Sequence, residues 1–176
     1  MFLDNTMIIG DRMKKIVFLV ISVIIGILVY RKNDEIIIPT DAIRVRIIAN
    51  SNNIKDLYEK KKIKENIKND LYKLVDKVNS SKEADTIISN NLEYVNELVS
   101  KNTNDYKISY GLNYFPKKLY KGVVYPEGKY KSLVITLGSG LGDNWWCVLY
   151  PPLCLIDDDN SESVEYRLFV EEMLND

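Results

Sequence analysis

The sequence predicts an α/β fold of the α+β type, with a mostly antiparallel sheet and two amphipathic helices on one face, preceded by an N-terminal membrane or signal helix. An uncharged apolar run near the N-terminus indicates the membrane or signal helix. Stretches in which apolar residues recur every three or four positions indicate the amphipathic helices, and stretches of alternating apolar and polar residues indicate the strands. The 176 residues, 46% of them hydrophobic, suffice for one globular domain with a buried core.

The N-terminal run extends from Ile16 to Tyr30, fifteen residues without a charge, and has basic residues on both sides. As an α-helix it would rise about 22 Å, which is less than the ~30 Å hydrocarbon core of a bilayer. This length fits a signal-peptide core as well as a membrane anchor, and the lack of small residues after the run favours the uncleaved anchor. A buried core helix is a third interpretation. We expect residues 1–35 to form an N-terminal tail with this signal or anchor helix, and residues 36–176 to form a single exported domain.

The first amphipathic helix is predicted from Ile54 to Val78, with Asn52 or Asn53 as its N-cap. Its lysine-rich face could contact an anionic membrane, but the acidic residues among the lysines favour an ordinary solvated face. A capping box formed by Ser80 and Glu83 opens the second helix. Both helices are expected to cover one sheet, and a further helix is predicted at the C-terminus.

Strand patterns occur in four places. Residues 42–49 alternate apolar side chains with two arginines, which predicts a strand with one buried face. Residues 106–114 alternate in the same way and carry a stripe of tyrosines, and residues 129–137 give another strand. Residues 145–150 are apolar on both faces, which predicts a central strand.

The composition excludes several kinds of chemistry. Histidine is absent, so Ser-His-Asp and Cys-His mechanisms are excluded, and two cysteines alone supply too few ligands for a usual zinc site. The 24 basic and 25 acidic residues balance, which argues against nucleic acid as a partner. The glycines of residues 138–142 lack the rest of a phosphate-binding motif and fit a tight loop between strands, and the acidic run at 157–162 fails the calcium-loop template. We therefore expect no catalytic residue, no metal and no cofactor.

Cys147 and Cys154 are the two cysteines of the chain. Fully extended, the segment between them would span about 23 Å, whereas a disulfide needs Cα atoms within ~7 Å. The chain must therefore reverse between them, and Pro151 and Pro152 stand where that reversal is needed. A disulfide here would stabilise the domain by about 2.5 kcal/mol. We favour a structural disulfide, while two buried free thiols or a redox pair remain alternatives.

Four stretches of the sequence occur together in a fixed order: IRVRIIANS before a lysine-rich helix, then YFP, YPEGKY and GSGLGDNWWCVLYPPLCLID. Together they resemble the stage II sporulation protein R family, over about Ile43 to Asp157. The last string is long enough to be specific. The positions that match the family pattern are Ala49, Asn50, Ser51, Lys62, Phe115, Pro116, Gly128, Tyr130, Gly138, Gly140, Gly142, Asn144, Trp145, Trp146, Cys147, Pro151, Pro152 and Cys154.

The resemblance implies a signalling protein rather than an enzyme. Members of the family are made in the forespore, are exported across the cytoplasmic membrane toward the intermembrane space, and activate a membrane-embedded aspartic protease of the mother cell. That protease then processes an inactive sigma-factor precursor. The residues that we take as candidates for partner binding are Asn50, Ser51, Asn144, Trp145 and Trp146. The two tryptophans are expected either to complete the core or to form the docking face.

The sequence departs from the family pattern at four positions. Arg46 stands where a histidine is usual, Asn52 stands where an aspartate is usual, and Ser139 and Leu141 replace charged residues of the glycine loop. If any of them contacts the protease, partner recognition has either changed with it or been lost. Two other functions remain as alternatives: an extracytoplasmic wall-sugar or peptide-binding module that uses the tyrosine stripe, and a hydrolase that depends on paired carboxylates.

Overall fold

A computed structural model describes residues 4–31, 36–153, 170–172 and 174 of the chain. By its internal contacts the chain divides into two units, Met1–Glu35 and Ile36–Asp176. In the first unit, helix α1 extends over Asp4–Arg31 and contains the uncharged run. A helix is thus present where the sequence predicts one. In the part of the chain that the structure describes, however, no helix is both long enough and apolar enough to cross a membrane.

Within its described residues the second unit contains two sheets and three helices, together with a few helical residues near the C-terminus. The helices are α2 (Ile54–Val75), α3 (Ser81–Asn90) and α4 (Leu92–Ser100). The strands are β1 (Ile36–Ile37), β2 (Ile43–Ile48), β3 (Tyr106–Phe115), β4 (Lys118–Tyr120), β5 (Val123–Tyr125), β6 (Gly128–Leu137) and β7 (Asn144–Tyr150). The strands that the sequence predicts are therefore all present. The predicted C-terminal helix lies mostly outside the described residues, of which 170–172 and 174 are helical.

The main sheet has four strands in the order β3-β6-β2-β7, and a small sheet has the order β1-β5-β4. β6 is antiparallel to β3 and β7 is antiparallel to β2, whereas β2 and β6 run parallel to each other, as do β1 and β5. The main sheet is mostly antiparallel, as the sequence predicts, since two of its three strand pairs are antiparallel. The parallel pairing of β2 with β6 was not predicted. A parallel pair needs a long crossover connection, and the segment from α2 to β5 provides it between β2 and β6.

One face of the main sheet is covered by the helices, as the sequence predicts. Apolar side chains of α2, α3 and α4 form a single buried cluster with those of β2, β6 and β7. The second predicted helix is divided into α3 and α4, because Asn91 adopts a non-helical backbone (φ −111°, ψ 17°) and its side-chain amide donates to the carbonyl of Ile87 (2.8 Å). An asparagine that bonds the backbone of its own helix competes with helix propagation.

The other face of the main sheet is also covered, which the sequence does not predict. A second buried cluster joins residues of the small sheet to Phe115, Tyr130 and Val148 of the main sheet. Two predictions are therefore wrong. β2 is buried on both faces rather than on one, since Arg44 is only 2% exposed. β7 is an edge strand rather than a central one, and its apolar residues are explained by the two clusters, which cover both of its faces.

Candidate partner-binding site

The five candidate residues lie at one end of the main sheet. Asn50 and Ser51 follow β2, while Asn144, Trp145 and Trp146 begin β7. β2 and β7 are antiparallel neighbours, and their register places Ile48 opposite Asn144. The end of one strand and the start of the other therefore adjoin, and the structure brings together residues that are far apart in the sequence.

The side chains of Asn50 and Ser51 are held by a carboxylate at the start of α2. Asp56 Oδ2 accepts hydrogen bonds from Asn50 Nδ2 (2.8 Å), Ser51 Oγ (2.7 Å) and Asn53 Nδ2 (3.0 Å). The backbone N–H of Asp56 donates to Asn53 Oδ1 (2.8 Å), which caps the helix as the sequence predicts. Three donors on one carboxylate fix the turn between β2 and α2.

These hydrogen bonds also control the charge of the site. The bond from Ser51, together with those from Asn50 and Asn53, lowers the pKa of Asp56 below its ordinary value, while burial opposes this shift. Asp56 is therefore a carboxylate at neutral pH. A carboxylate that is saturated with donors is a poor general base, so its role in the described structure is to position the turn.

The glycine-rich loop, residues 138–143, binds the same turn. Ser139 donates from its N–H to Asn50 Oδ1 (2.8 Å) and from its Oγ to the Asn50 carbonyl (2.9 Å). The N–H of Leu141 donates to the Asn50 carbonyl (3.0 Å), and the N–H of Gly142 donates to the Ala49 carbonyl (2.9 Å). The loop amides thus bond protein carbonyls, and the prediction of a tight loop between strands is confirmed.

Two glycines of this loop are required by its geometry. A Cβ at Gly142 would lie 2.6 Å from the carbonyl carbon of Ser51, which is backbone and cannot rotate away. Gly138 has φ +51° and its Cβ would lie 2.7 Å from Asn50 Cγ. A side chain at either position would therefore push the loop off the turn.

The two tryptophans point to opposite faces of the sheet, because successive strand residues alternate. Trp145 lies against the helix-side cluster, with Lys64 Nζ 5.6 Å from its ring centroid. Trp146 lies against the second cluster and meets Phe115 edge-on at 5.0 Å between centroids. Both rings are half-buried. Each tryptophan therefore contributes to a core and leaves part of its ring accessible.

At three of the four positions that depart from the family pattern, the side chain itself forms hydrogen bonds within the site. Arg46 Nε donates to Asn144 Oδ1 (2.9 Å), and its guanidinium lies 4.5 Å from the Trp146 ring centroid. Asn52 Oδ1 accepts from the N–H of Asp143 (2.6 Å). Ser139 donates two hydrogen bonds to Asn50. The fourth, Leu141, is 82% exposed, so it is the departure that changes the outer surface most.

Arg44 was missed by the sequence analysis. Its guanidinium lies 4.2 Å from the Phe115 ring centroid, 5.0 Å from that of Tyr130 and 5.6 Å from that of Tyr125. Its Nε has no hydrogen-bond partner among the described residues. Burial lowers the pKa of Arg44, while Tyr130 and Tyr125 oppose this shift. No sequence signal marks Arg44 as buried, because an arginine in an alternating strand ordinarily faces solvent.

Asp56 was also missed, although its spacing of three from Asn53 is the signal of a helix cap.

Cys147 lies in β7 and is 7% exposed. Pro151 and Pro152 form a turn directly after the strand, as predicted. No described cysteine is free, but Cys154 lies outside the described residues. The pairing of Cys147 with Cys154 therefore stays a prediction.

Comparison with known proteins identifies the family. The family model described as stage II sporulation protein R matches residues 39–160, a range that includes all five candidate residues. The chain belongs to the stage II sporulation protein R family. The stage II sporulation protein R of Bacillus subtilis (strain 168) is 39% identical to it over 140 residues, which cover 76% of this chain. The match covers 62% of that relative, so the chain spans less than two thirds of its length. No solved structure matches.

The resemblance stated from the sequence is thereby confirmed. The stage II sporulation protein R match includes the turn after β2, the glycine loop and the start of β7, which are the parts that meet at the candidate site. Membership of the family implies a role in sporulation.

Proposed function

We propose that this member of the stage II sporulation protein R family is an exported signalling protein that binds and activates a membrane-embedded aspartic protease, which leads to processing of an inactive sigma-factor precursor. The observation that carries the proposal is the family match over residues 39–160. We name the protease as the partner because the family resemblance implies it.

The geometry of the candidate site supports a role in binding. Asn50, Ser51 and Asp56 direct their polar atoms at one another or at the glycine loop. The site is therefore a fixed surface whose shape is set before a partner arrives, and preorganisation of this kind reduces the entropy that association costs. The accessible parts of Trp145 and Trp146 are the kind of side-chain surface that often dominates protein interfaces.

Export is supported by the uncharged run from Ile16 to Tyr30 with its basic flanks. We propose with it that Cys147 and Cys154 form a disulfide, because disulfides form and persist outside the cytoplasm. A disulfide at the end of an edge strand would stabilise a small exported domain.

The proposal is tested by complementation. The full chain is expressed in the forespore of a sporulating bacterium that lacks its own copy, and cleavage of the sigma-factor precursor is followed by immunoblot. We expect cleavage with the full chain and none with a variant that lacks residues 1–35, which would remain inside the forespore. Absence of cleavage while the full chain accumulates outside the membrane would reject the proposed function.

A further inference from the structure

Two cations from different sheets meet at the ring of Trp146. Arg46 lies directly opposite Trp146 in the pairing of β2 with β7, and its guanidinium carbon is 4.5 Å from the ring centroid. Lys118 comes from β4 of the small sheet, and its Nζ is 5.2 Å from the same centroid. Together with Asn144, which accepts a hydrogen bond from Arg46, these residues form what we call the cation–aromatic cluster.

Neither cation of this cluster has an acidic partner among the described residues. Arg46 donates its Nε to Asn144 Oδ1 (2.9 Å), which is a neutral acceptor. Neither Arg46 nor Lys118 forms an ion pair in the part of the chain that the structure describes. Burial lowers the pKa of Arg46, and no described acid opposes this shift. The cluster therefore carries two positive charges that the described residues do not balance.

Contact with the tryptophan ring does not satisfy these cations. Cation–π attraction is worth about 0.5–1 kcal/mol at exposed sites. A guanidinium that stacks on an aromatic ring keeps its N–H donors in its own plane, where they can bind a carboxylate. The donors of Arg46 other than Nε, and the ammonium of Lys118, have no hydrogen-bond acceptor among the described residues. They are therefore available to an anion from outside the described structure.

The cluster lies at the surface of the domain and has an apolar residue beside it. Lys118 is exposed, while Arg46, Asn144 and Trp146 are partly exposed. Val134 lies beside Arg46 on β6 and is 8% exposed. A ligand with an apolar stem and one negative charge matches two cations next to apolar side chains. The side chains of aspartate and glutamate have this form.

We propose that the cation–aromatic cluster binds an aspartate or glutamate side chain of the protein partner, with the carboxylate between Arg46 and Lys118. The inference rests on the proposed function, because it makes the activated protease the source of that carboxylate. Charge-assisted hydrogen bonds from a guanidinium or an ammonium are about twice as strong as neutral ones. Tryptophan and arginine are also the side chains that most often dominate protein interfaces.

Other occupants match the cluster less well. Two copies of the chain that met through this patch about a two-fold axis would place the same cations against each other, which like-charge repulsion opposes. A lipid surface favours apolar side chains that insert into it, whereas the Trp146 ring is held edge-on against Phe115 at 5.0 Å. Asp143 is the neighbouring acid in the sequence, but its charge acts on Lys60, where it opposes the lowering of the pKa by burial.

The first test detects the carboxylate by its chemistry. The full chain and the protease are produced together in a bacterium that does not sporulate, and the membranes are treated with a water-soluble carbodiimide. This reagent joins a lysine ammonium to a carboxylate in contact with it, as an amide. Mass spectrometry then identifies the joined peptides. We expect Lys118 to be joined to an aspartate or glutamate of the protease.

The second test measures cleavage of the sigma-factor precursor produced in the same cells. Lys118→Glu reverses one charge of the cluster. The matched control is Lys82→Glu, because Lys82 is also exposed, forms no ion pair with a described residue and lies in the first turn of α3, on the helix-covered face of the sheet. We expect about tenfold less cleavage with Lys118→Glu and unchanged cleavage with Lys82→Glu. The thermal midpoint of each purified variant shows that it is folded.

Each other outcome rejects the inference. Lys118 joined to an acid of a second copy, to an acid of the same chain or to no carboxylate would place a different occupant or none in the cluster, and a lipid phosphate would give no amide. Equal cleavage with Lys118→Glu and with the wild-type chain would do the same. If the wild-type chain supports cleavage while these results are negative, the proposed function stands and only this inference fails. If the exported wild-type chain supports none, the proposed function fails.

Discussion

Replacing Gly142 with alanine tests whether the glycine loop is held against the turn after β2 as described. The new Cβ would lie 2.6 Å from the carbonyl carbon of Ser51 and 2.8 Å from Ala49 Cβ. Neither atom can move without displacing backbone, so the loop must shift and its bond from the Gly142 N–H to the Ala49 carbonyl is weakened. Overpacking of this kind costs about 1–3 kcal/mol, and each kcal/mol corresponds to about 2–4 °C in thermal midpoint at this chain length.

The matched control is Gly111→Ala, because the added Cβ meets nothing within 4 Å there. Alanine at an unstrained position lowers the entropy of the unfolded chain and should leave stability unchanged or raise it by up to about 1 kcal/mol. Thermal and urea unfolding of the two purified variants measure the difference directly. Amide hydrogen exchange should also be faster at residues 141 and 142 in the Gly142→Ala variant. If the free energies of unfolding of the two variants differ by less than about 0.5 kcal/mol, the loop does not lie in close contact with the turn.

Three further predictions concern stability and redox state. The pKa of Asp56 is lowered on folding, so its contribution to stability is present above the ordinary carboxyl pKa of about 3.9 and is lost as pH falls below it; urea unfolding should show the gap between wild type and Asp56→Asn narrowing from pH 7 to pH 3, and a constant gap would contradict this. Arg44→Met should leave the free energy of unfolding equal or higher, because it removes a buried charged group whose Nε has no hydrogen-bond partner among the described residues; a loss above about 1 kcal/mol would show that contacts with the aromatic rings outweigh desolvation. Thiol labelling of the denatured exported protein should modify Cys147 and Cys154 only after reduction, and full labelling beforehand would exclude the disulfide.

Local patterns predicted most of the elements of this fold because they report directly on burial. The spacing of apolar residues predicted α2, and alternation predicted β2 and β3. α2 and β2 each bury a regular face, and alternate residues of the first half of β3 pack against the helix-side cluster. The break at Asn91 was not predicted, because it depends on one side-chain bond to Ile87 that competes with an otherwise continuous helical pattern.

Features that depend on the partner across a sheet could not be predicted. The parallel pairing of β2 with β6 is set by the route of the chain, which the pattern of a single strand does not record. The burial of Arg44 depends on the small sheet, whose strands are two or three residues long and too short to show a period. The edge position of β7 was not predicted either. Its apolar residues indicate that both of its faces are covered, but they do not indicate how many strands pair with it.

The candidate site was predicted in part. The strings around Asn50 and Trp145 identified segments that do adjoin, but only through the pairing of β2 with β7. The side chains of Asn50 and Ser51 proved to be bonded inside the site. Their residue types alone do not distinguish a group that binds a partner from one that holds a loop.

The most direct measurement of the central claim is reconstitution in a bacterium that does not sporulate. The sporulation protease and the sigma-factor precursor from the organism that encodes this chain are produced in that bacterium, with and without the chain. The chain is exported by its own N-terminal segment, and precursor cleavage is measured by immunoblot. The account predicts cleavage only when the chain is present outside the cytoplasmic membrane. Intact precursor beside a folded, exported chain and a protease that is present in the membrane would contradict it.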